Sequence, residues 1–368
     1  MLTTFARGAR GKRFFPLDKK LRLRADHWSE GAARVATRQG LQTQSFDLAA
    51  AAYSDAVGGA ISPDSLRRIT EGWGQQVGQR RQATAQRANA PAQVGESPRE
   101  RRVAEVAPIR GQANISTDGG MILVRGEGWK EVKLTAISEV EVQDAETRVA
   151  QADRPSRREA DPVVLLKRHS YQAGLWDADT MACYQYSEGL RRGIDHCQRL
   201  SSVNDGAPWI ERITDLNFSN AVQIVDWSHA SQRLWKVSKA VLGEQTAQGK
   251  QWVEQQLDYL WNGRVHQVVT ILEAMDLALG AWPDEVRQAP GYFKSNQLRM
   301  HYDRFRAEGY PIGSGTVESG INTVVHHRMR RPGRGWQRDN AQAMLAGLSE
   351  LHGARFEHAW CATLSVPS

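Results

Sequence analysis

The chain has 368 residues, 40% hydrophobic and 24% charged, with a mean hydropathy of −0.54, enough for two to three globular domains. No apolar run approaches the ~18 residues a membrane span needs, and the start has no apolar h-region, so neither an integral membrane protein nor a secretory signal is expected. Three cysteines (Cys183, Cys197, Cys361) without a C-x-x-C spacing argue against a disulfide framework or a thiolate zinc finger and fit a reducing compartment.

The net charge of +7 is concentrated. Residues 1–24 carry eight basic side chains against one acid, Asp18, which equals the whole excess. A second cluster, Arg328, Arg330, Arg331, Arg334 and Arg338, sits among Gly333, Gly335 and Trp336. Arginine reads phosphate with a planar fork, so both are candidate nucleic-acid surfaces. The plainer reading is a solvated tail and a solvated loop.

Residues 29–78 read as helices. Ser29 can cap a helix over 30–38. A second covers 45–57, with Phe46, Leu48, Ala49, Ala52, Tyr53 and Ala56 at helical spacing, and breaks at Gly58-Gly59. Ser62-Pro63-Asp64 then supplies an N-cap, a first-turn proline and an acid for a third, which carries Arg67 and Arg68. Helix, short glycine turn and basic helix is the plan of a helix-turn-helix DNA reader, though many helical hairpins share it. Residues 79–110 are poor in large apolar groups and read as a linker whose start continues the preceding helix.

A short strand over 114–118, a turn at Gly119-Gly120, a return over 121–125, a Gly126-Glu127-Gly128 loop and an alternating strand over 131–140 predict a three-stranded antiparallel meander. A polar stretch follows over 143–161. Next come a helix over 177–193, a strand over 199–203 ending at Asn204-Asp205-Gly206, a helix over 209–216 and a strand over 221–225 ending at Asp226. Amphipathic helices then fill 230–307, broken at Gly243, Gly249, Gly263 and Pro283. Last come the loop Ile312-Gly313-Ser314-Gly315 and a final helix through Glu318.

On this topology the acids fall in telling places. Asp118 ends the first strand, Asp205 ends the fourth, and Glu318 lies in the first turn of a later helix. The order β-β-β-α-β-α-β-α with acids at these points is that of the RNase H-like fold, an α/β mixed sheet here carrying an all-helical insertion and preceded by a small helix-turn-helix-like domain. Three carboxylates are what two divalent cations need: Mg²⁺ prefers hard oxygen ligands, and a pair of ions can activate an attacking oxygen and stabilise a leaving one. Singly, Asp-Gly-Gly and Asn-Asp-Gly are turns, and Glu318 is a helix-terminal acid; the joint placement is what points to a site.

The motifs Thr117-Asp118-Gly119-Gly120, Gly128-Trp129-Lys130-Glu131-Val132-Lys133, Asp205-Gly206-Ala207-Pro208-Trp209-Ile210 and Val225-Asp226-Trp227-Ser228-His229-Ala230 are joined by two later ones. These are Pro311-Ile312-Gly313-Ser314-Gly315-Thr316-Val317-Glu318-Ser319 and Arg328-Met329-Arg330-Arg331-Pro332-Gly333-Arg334-Gly335-Trp336. With Phe14-Phe15-Pro16-Leu17-Asp18, they make the chain resemble bacterial insertion-sequence DDE transposases of the Kra-type group, on the Mutator-like branch, over nearly its whole length. The Gly-Ser-Gly…Glu-Ser and Asp-Gly-Ala-Pro-Trp blocks are specific; Asp-Gly-Gly is not.

The resemblance implies metal-dependent cleavage and strand transfer of double-stranded DNA, at terminal inverted repeats and into a target, by a homo-oligomer. It implies a bacterial, nucleoid-associated cytoplasmic location. Two Mg²⁺ or Mn²⁺ ions would be held by Asp118, Asp205 and Glu318, with no zinc. Asp205 is preferred because it follows the fourth strand directly; Asp226 is the alternative second acid. Asp226-x-x-His229 otherwise resembles the acid-x-x-His motif downstream of the second acid and is expected beside the site. Arg67, Arg68, Lys130, Lys133, Arg328, Arg330, Arg331 and Arg334 are expected DNA contacts, and Trp336 a platform for an unpaired base.

Relatives commonly carry a cysteine-pair zinc element before Phe14, whereas Met1 to Arg13 has no cysteine. That departure bears on end recognition more than on the catalytic fold. The expected organisation is a basic remnant of that element (1–28), a helix-turn-helix-like domain (29–78), a linker (79–110), the catalytic domain (111–229 and 311–345), the helical insertion (230–310) and a C-terminal tail (346–368). Two other classes compete: a non-catalytic DNA-binding protein derived from a truncated transposase, and a nuclease that cuts without joining.

Overall fold

A computed structural model describes residues 6–7, 13–14, 28–91, 108–143, 161–275, 277 and 281–364. The basic cluster over 1–24 therefore lies outside the described residues, apart from the antiparallel pairing of Ala6–Arg7 with Arg13–Phe14. The chain is mixed α/β and divides into two compact units, one drawn from 1–80, 122–130 and 323–368, the other from 81–121 and 131–322. Among the described residues no helix is long and apolar enough to cross a membrane.

In the first unit, helix α1 (Glu30–Gln42) starts where Ser29 Oγ accepts the Ala32 N–H. Helix α2 (Phe46–Val57) is capped in the same way by Ser45 and stops at Gly58, whose φ of 71° is left-handed. Helix α3 (Pro63–Ala88) has proline at its first position and runs ten residues past the predicted boundary at 78. Its extension is rich in Gln, Arg and Ala, good helix formers, and it is the expected continuation of this helix into the start of the linker. Residues 92–107 lie outside the described residues. Two helices occupy the last part of the chain, α13 (Arg338–His352) and α14 (Phe356–Leu364), where a tail was expected from 346. Their core is aromatic: Trp73 packs 5.0 Å from Phe356 and 5.9 Å from Trp360, centroid to centroid.

The second unit is built on strands β1 (Gln112–Val124), β2 (Gly128–Gln143), β3 (Val163–Gly174), β4 (Arg199–Asn204) and β5 (Val222–Val225), in the order β3-β2-β1-β4-β5. β2 pairs antiparallel with β3, while β1 with β4 and β4 with β5 pair in parallel. β1 and β2 are neighbours joined by a turn over 125–127, so they run antiparallel. The tip of this hairpin, 122–130, belongs to the first unit.

Two expectations are corrected here. No turn forms at Gly119-Gly120: β1 runs straight through, and Asp118 lies inside a strand rather than at its end. The turn sits at the expected Gly126-Glu127-Gly128 loop, where Gly126 and Gly128 take φ of 77° and 78°. β3 is a strand that the pattern left unread; its alternation is broken by Lys167 and Arg168, and the register shifts between Ile137 and Glu139 on its partner.

Helices α4 (Ala178–Arg192) and α5 (Pro208–Asn217) follow β3 and β4, meeting through Met181, Ala182 and Ile213. Asp177 caps α4, and Gly193 ends it in the left-handed region. After β5 come α6 (Trp227–Val241), α7 (Ala247–Trp261), α8 (Val265–Ala274), α9 (Asp284–Arg287), α10 (Ala289–Ser295) and α11 (Tyr302–Ala307). Their apolar faces share one core with Val203, Ile224 and Val225 of the sheet. Gly249 does not break a helix; it lies in the first turn of α7, its N–H donating to the cap Thr246. Helix α12 (Gly315–Gly320) continues into a π-helical stretch, Ile321–His326, and packs on β3, where the missing side chain of Gly320 makes room for Tyr171 and Leu134.

Candidate functional site

Strand register brings the acids together. β1 and β4 pair Ile115 with Ser202, and β4 and β5 pair Asn204 with Val225. Continuing both registers sets Asp118 level with Asp205, and Asp205 level with Asp226, in one row across three adjacent strand positions. Asn204 fastens the row: its Oδ1 accepts the Thr117 N–H at 2.7 Å, and its carbonyl accepts the Asp226 N–H at 2.7 Å. Glu318 comes in on α12. The ligand atoms of Asp226, His229 and Glu318 lie within 4.8 Å of one another. All five residues belong to the second unit.

The carboxylates are not equivalent. Asp226 is 1% exposed and caps α6. Its Oδ1 accepts the His229 N–H at 2.8 Å and lies 3.2 Å from His229 Nδ1, while Oδ2 accepts the Ser314 N–H. Burial pushes this carboxyl up, but the hydrogen bonds from His229 and Ser314 outweigh it and hold it below the usual range. Asp118 and Asp205 each use one oxygen locally, on the N–H of Gly119 (2.7 Å) and of Ala207 (2.9 Å). The second oxygen of each makes no hydrogen bond among the described residues, and neither does the carboxylate of Glu318. Burial raises the Asp118 carboxyl, and the charges of Asp205 and Glu318 raise it further, against the pull of the Gly119 N–H and of His229. Hard oxygen donors crowded until they repel are a donor set that a divalent cation fits. Asp226 has both oxygens on N–H donors, yet it is Asp226, His229 and Glu318 that form a three-ligand group among the described residues; Asp118 and Asp205, the expected ligands, lie outside that group.

Two neighbours of the acids, Tyr292 and Asn296, lie in no sequence motif, and a third, Ser314, lies in one without a role of its own. Tyr292 of α10 donates its hydroxyl to the Asp205 carbonyl at 3.0 Å, and burial together with Asp205 and Asp226 pushes its own ionisation above the ordinary range. Asn296 is buried with Oδ1 unpaired among the described residues, and a Cβ on Gly206 would stand 3.2 Å from that atom. Tyr292 and Asn296 lie 87 residues or more from Asp205 in the chain, and no local pattern marks them.

The expected DNA contacts fall out as follows. Lys133, in the second unit, pairs with Glu131 and stands 4.6 Å over the Trp209 ring. In the first unit, Arg67 pairs with Asp64 and Glu71, and Arg68 with Asp64. Lys130 is half-buried, and Arg330 is exposed above the Trp129 ring. Arg331 is half-buried, Arg334 is exposed without an ion pair among the described residues, and Arg338 pairs with Glu127. Arg328 is corrected as a surface cation: it is 2% exposed, a structural residue whose stem and fork are enclosed. Trp336 is half-buried and donates its indole N–H to the Met329 carbonyl at 3.0 Å.

His229 gives a pH-dependent prediction. The hydrogen bond to Asp226 raises its ionisation, burial opposes this, and the charges of Asp226, Asp205 and Asp118 add to the rise. A raised folded value means that the histidine stabilises the fold fully below its unfolded value, ordinarily ~6.5, and that this is lost as pH rises through the folded value. Imidazole titration by NMR of the metal-free protein is expected to place His229 above the ordinary value and Asp226→Asn to lower it. An unchanged midpoint in that variant would show that Asp226 is not the cause.

No family model matches the chain, and no curated protein matches it significantly.

Proposed function

We propose that this chain is a DDE transposase that cuts and joins DNA strands at the ends of an insertion sequence, on an RNase H-like sheet. The observation that carries the reading is the in-register row of Asp118, Asp205 and Asp226 at one end of β1, β4 and β5, with Glu318 supplied by a later helix. The sheet order, the antiparallel β2 and the helices between β5 and α12 support the same fold.

Asp118, Asp205 and Glu318 would hold two Mg²⁺ or Mn²⁺ ions, which would supply stabilisation of negative charge on the attacking and leaving oxygens of a phosphodiester. Asp226 fixes the ring of His229 and raises its ionisation, and a protonated His229 beside the acids would draw the scissile phosphate into place. Tyr292 and Asn296 brace the loop over 205–206 so that the Asp205 carboxylate keeps its position. The helix-turn-helix-like α1–α3 and the exposed cations Arg330 and Arg334 of the first unit bind duplex DNA, and two copies work on paired ends.

The test uses labelled duplexes taken from both flanks of this reading frame, with Mg²⁺ or Mn²⁺. Cut ends joined to a target duplex, and no product with the metal chelated, are the expected result. Cutting without joining would replace the reading by a nuclease. Binding with neither would replace it by a non-catalytic DNA-binding protein.

A further inference from the structure

The first unit holds a cleft of about 490 Å³ that shares no residue with the carboxylate cluster. Its wall is aromatic: Phe46 and Trp336 meet edge to face with centroids 6.4 Å apart. The guanidinium of Arg328 lies 4.3 Å from the Phe46 centroid and 5.3 Å from that of Trp336. That guanidinium is locked by hydrogen bonds to the carbonyls of Gly40 (3.1 Å) and Gln44 (3.2 Å), while its Nη2 has no partner among the described residues. Three further arginines line the cleft, Arg67, Arg125 and Arg334, against one acid, Glu71. Arg125 is anchored through Nε to the Gly335 carbonyl at 2.7 Å, which places the rest of its fork. Arg334 is exposed and without an ion pair among the described residues. Glu71 is taken up by its ion pair with Arg67 at 2.9 Å, which leaves Arg125 and Arg334, of these three arginines, without an acid partner among the described residues. The side chains of Gln337 and Asn340 add amide donors and acceptors.

We propose that this cleft is a binding pocket for a single nucleotide unit, a planar base stacked on the Trp336 side with its phosphate held by Arg334 and Arg125. Each part of the lining calls for a part of that ligand. Free guanidinium forks take a phosphate. An aromatic wall takes a flat ring and does nothing for a bare anion. Amide side chains beside the wall read the polar edge of a base. The volume suits a ligand of nucleotide size. The nucleotide comes either free in solution or as one unpaired residue of a DNA strand, and the chemistry that recognises it is the same.

The full chain is titrated calorimetrically with deoxyadenosine monophosphate, inorganic phosphate and deoxyadenosine. The monophosphate is expected to bind at least about tenfold more tightly than either fragment, the lower part of the range for one base on one aromatic ring. Trp336→Ala is expected to lose that advantage. Because Trp336 also holds the Met329 carbonyl, Arg334→Glu serves as the second variant; its side chain is exposed, so it keeps the wild-type melting curve while losing the monophosphate. Two duplexes identify the source. A duplex with one unpaired 2-aminopurine that binds more tightly than its fully paired form, with quenched fluorescence, assigns the pocket to a strand. Equal binding of the two duplexes alongside tight monophosphate binding assigns it to free nucleotide. The proposal falls if the monophosphate binds no better than phosphate, or if folded Trp336→Ala and Arg334→Glu bind it as wild type does. Strand joining is read separately, so the pocket stands or falls independently of the carboxylate site.

Discussion

Asp118→Ala and Glu318→Ala are each expected to reduce strand cleavage and joining at least about a thousandfold, on the order of 4 kcal/mol of transition-state stabilisation. Each removes a hard oxygen donor whose place local hydrogen bonding cannot fill, since Asp118 commits only one oxygen, to the Gly119 N–H. Asp205→Ala is expected to behave alike. Asp226→Asn differs, because Asp226 acts through His229; loss of a group that orients another typically costs about 10- to 100-fold. The fold should survive these changes. The Asp118 carboxyl is raised by burial and by neighbouring charge, so its ionised form opposes folding at neutral pH. Asp118→Asn is therefore expected to melt higher than wild type in the absence of metal while being inactive, a separation of stability from activity. An inactive Asp226→Ala beside an active Asp205→Ala would reverse the roles assigned to these two acids.

Arg328→Ala is expected to destabilise the protein by about 3 kcal/mol. It leaves the carbonyls of Gly40 and Gln44 without their donor, at about 1–3 kcal/mol for each that stays buried and unpaired. It also removes a guanidinium stacked on two rings, worth about 0.5–2 kcal/mol per ring. Relief of a buried cation offsets part of the loss: burial, with Arg334 and Arg331, pushes this guanidinium down to about 10 despite Glu71. Arg328→Lys should recover little, since an ammonium cannot reach two diverging carbonyls with a flat fork. Urea denaturation checks both, and a wild-type midpoint for Arg328→Ala would mean that the residue is not structural.

Helix ends were the most legible part of the sequence, because their chemistry is local. Ser29, Ser45, Pro63, Asp177 and Gly193 all do at the helix termini what their side chains or backbone freedom suggest. The strands that carry the aspartates were legible as well: Asp118 sits in one, and Asp205 and Asp226 each follow one. What failed was decided at long range. Gly119-Gly120 looks like a turn to any local rule, but the strand runs on through it beside β2, and the absent Cβ of Gly119 is filled by the side chain of Glu131. A run of arginines reads as one solvated patch, yet Arg328 is enclosed by rings from Phe46 and Trp336, and Phe46 is 282 residues away in the chain. Tyr292 and Asn296 reach Asp205 and Gly206 from the helices after β5, which no spacing foretells.

Mn²⁺ binding, measured by isothermal titration on the full chain mixed with a duplex from the flank of the reading frame, shows whether the clustered carboxylates hold divalent ions. Saturable binding is expected in wild type and its loss in Asp118→Ala and in Glu318→Ala, with folding and duplex affinity retained. Binding of the same strength in all three proteins, or none in wild type, would rule out a metal site at these carboxylates.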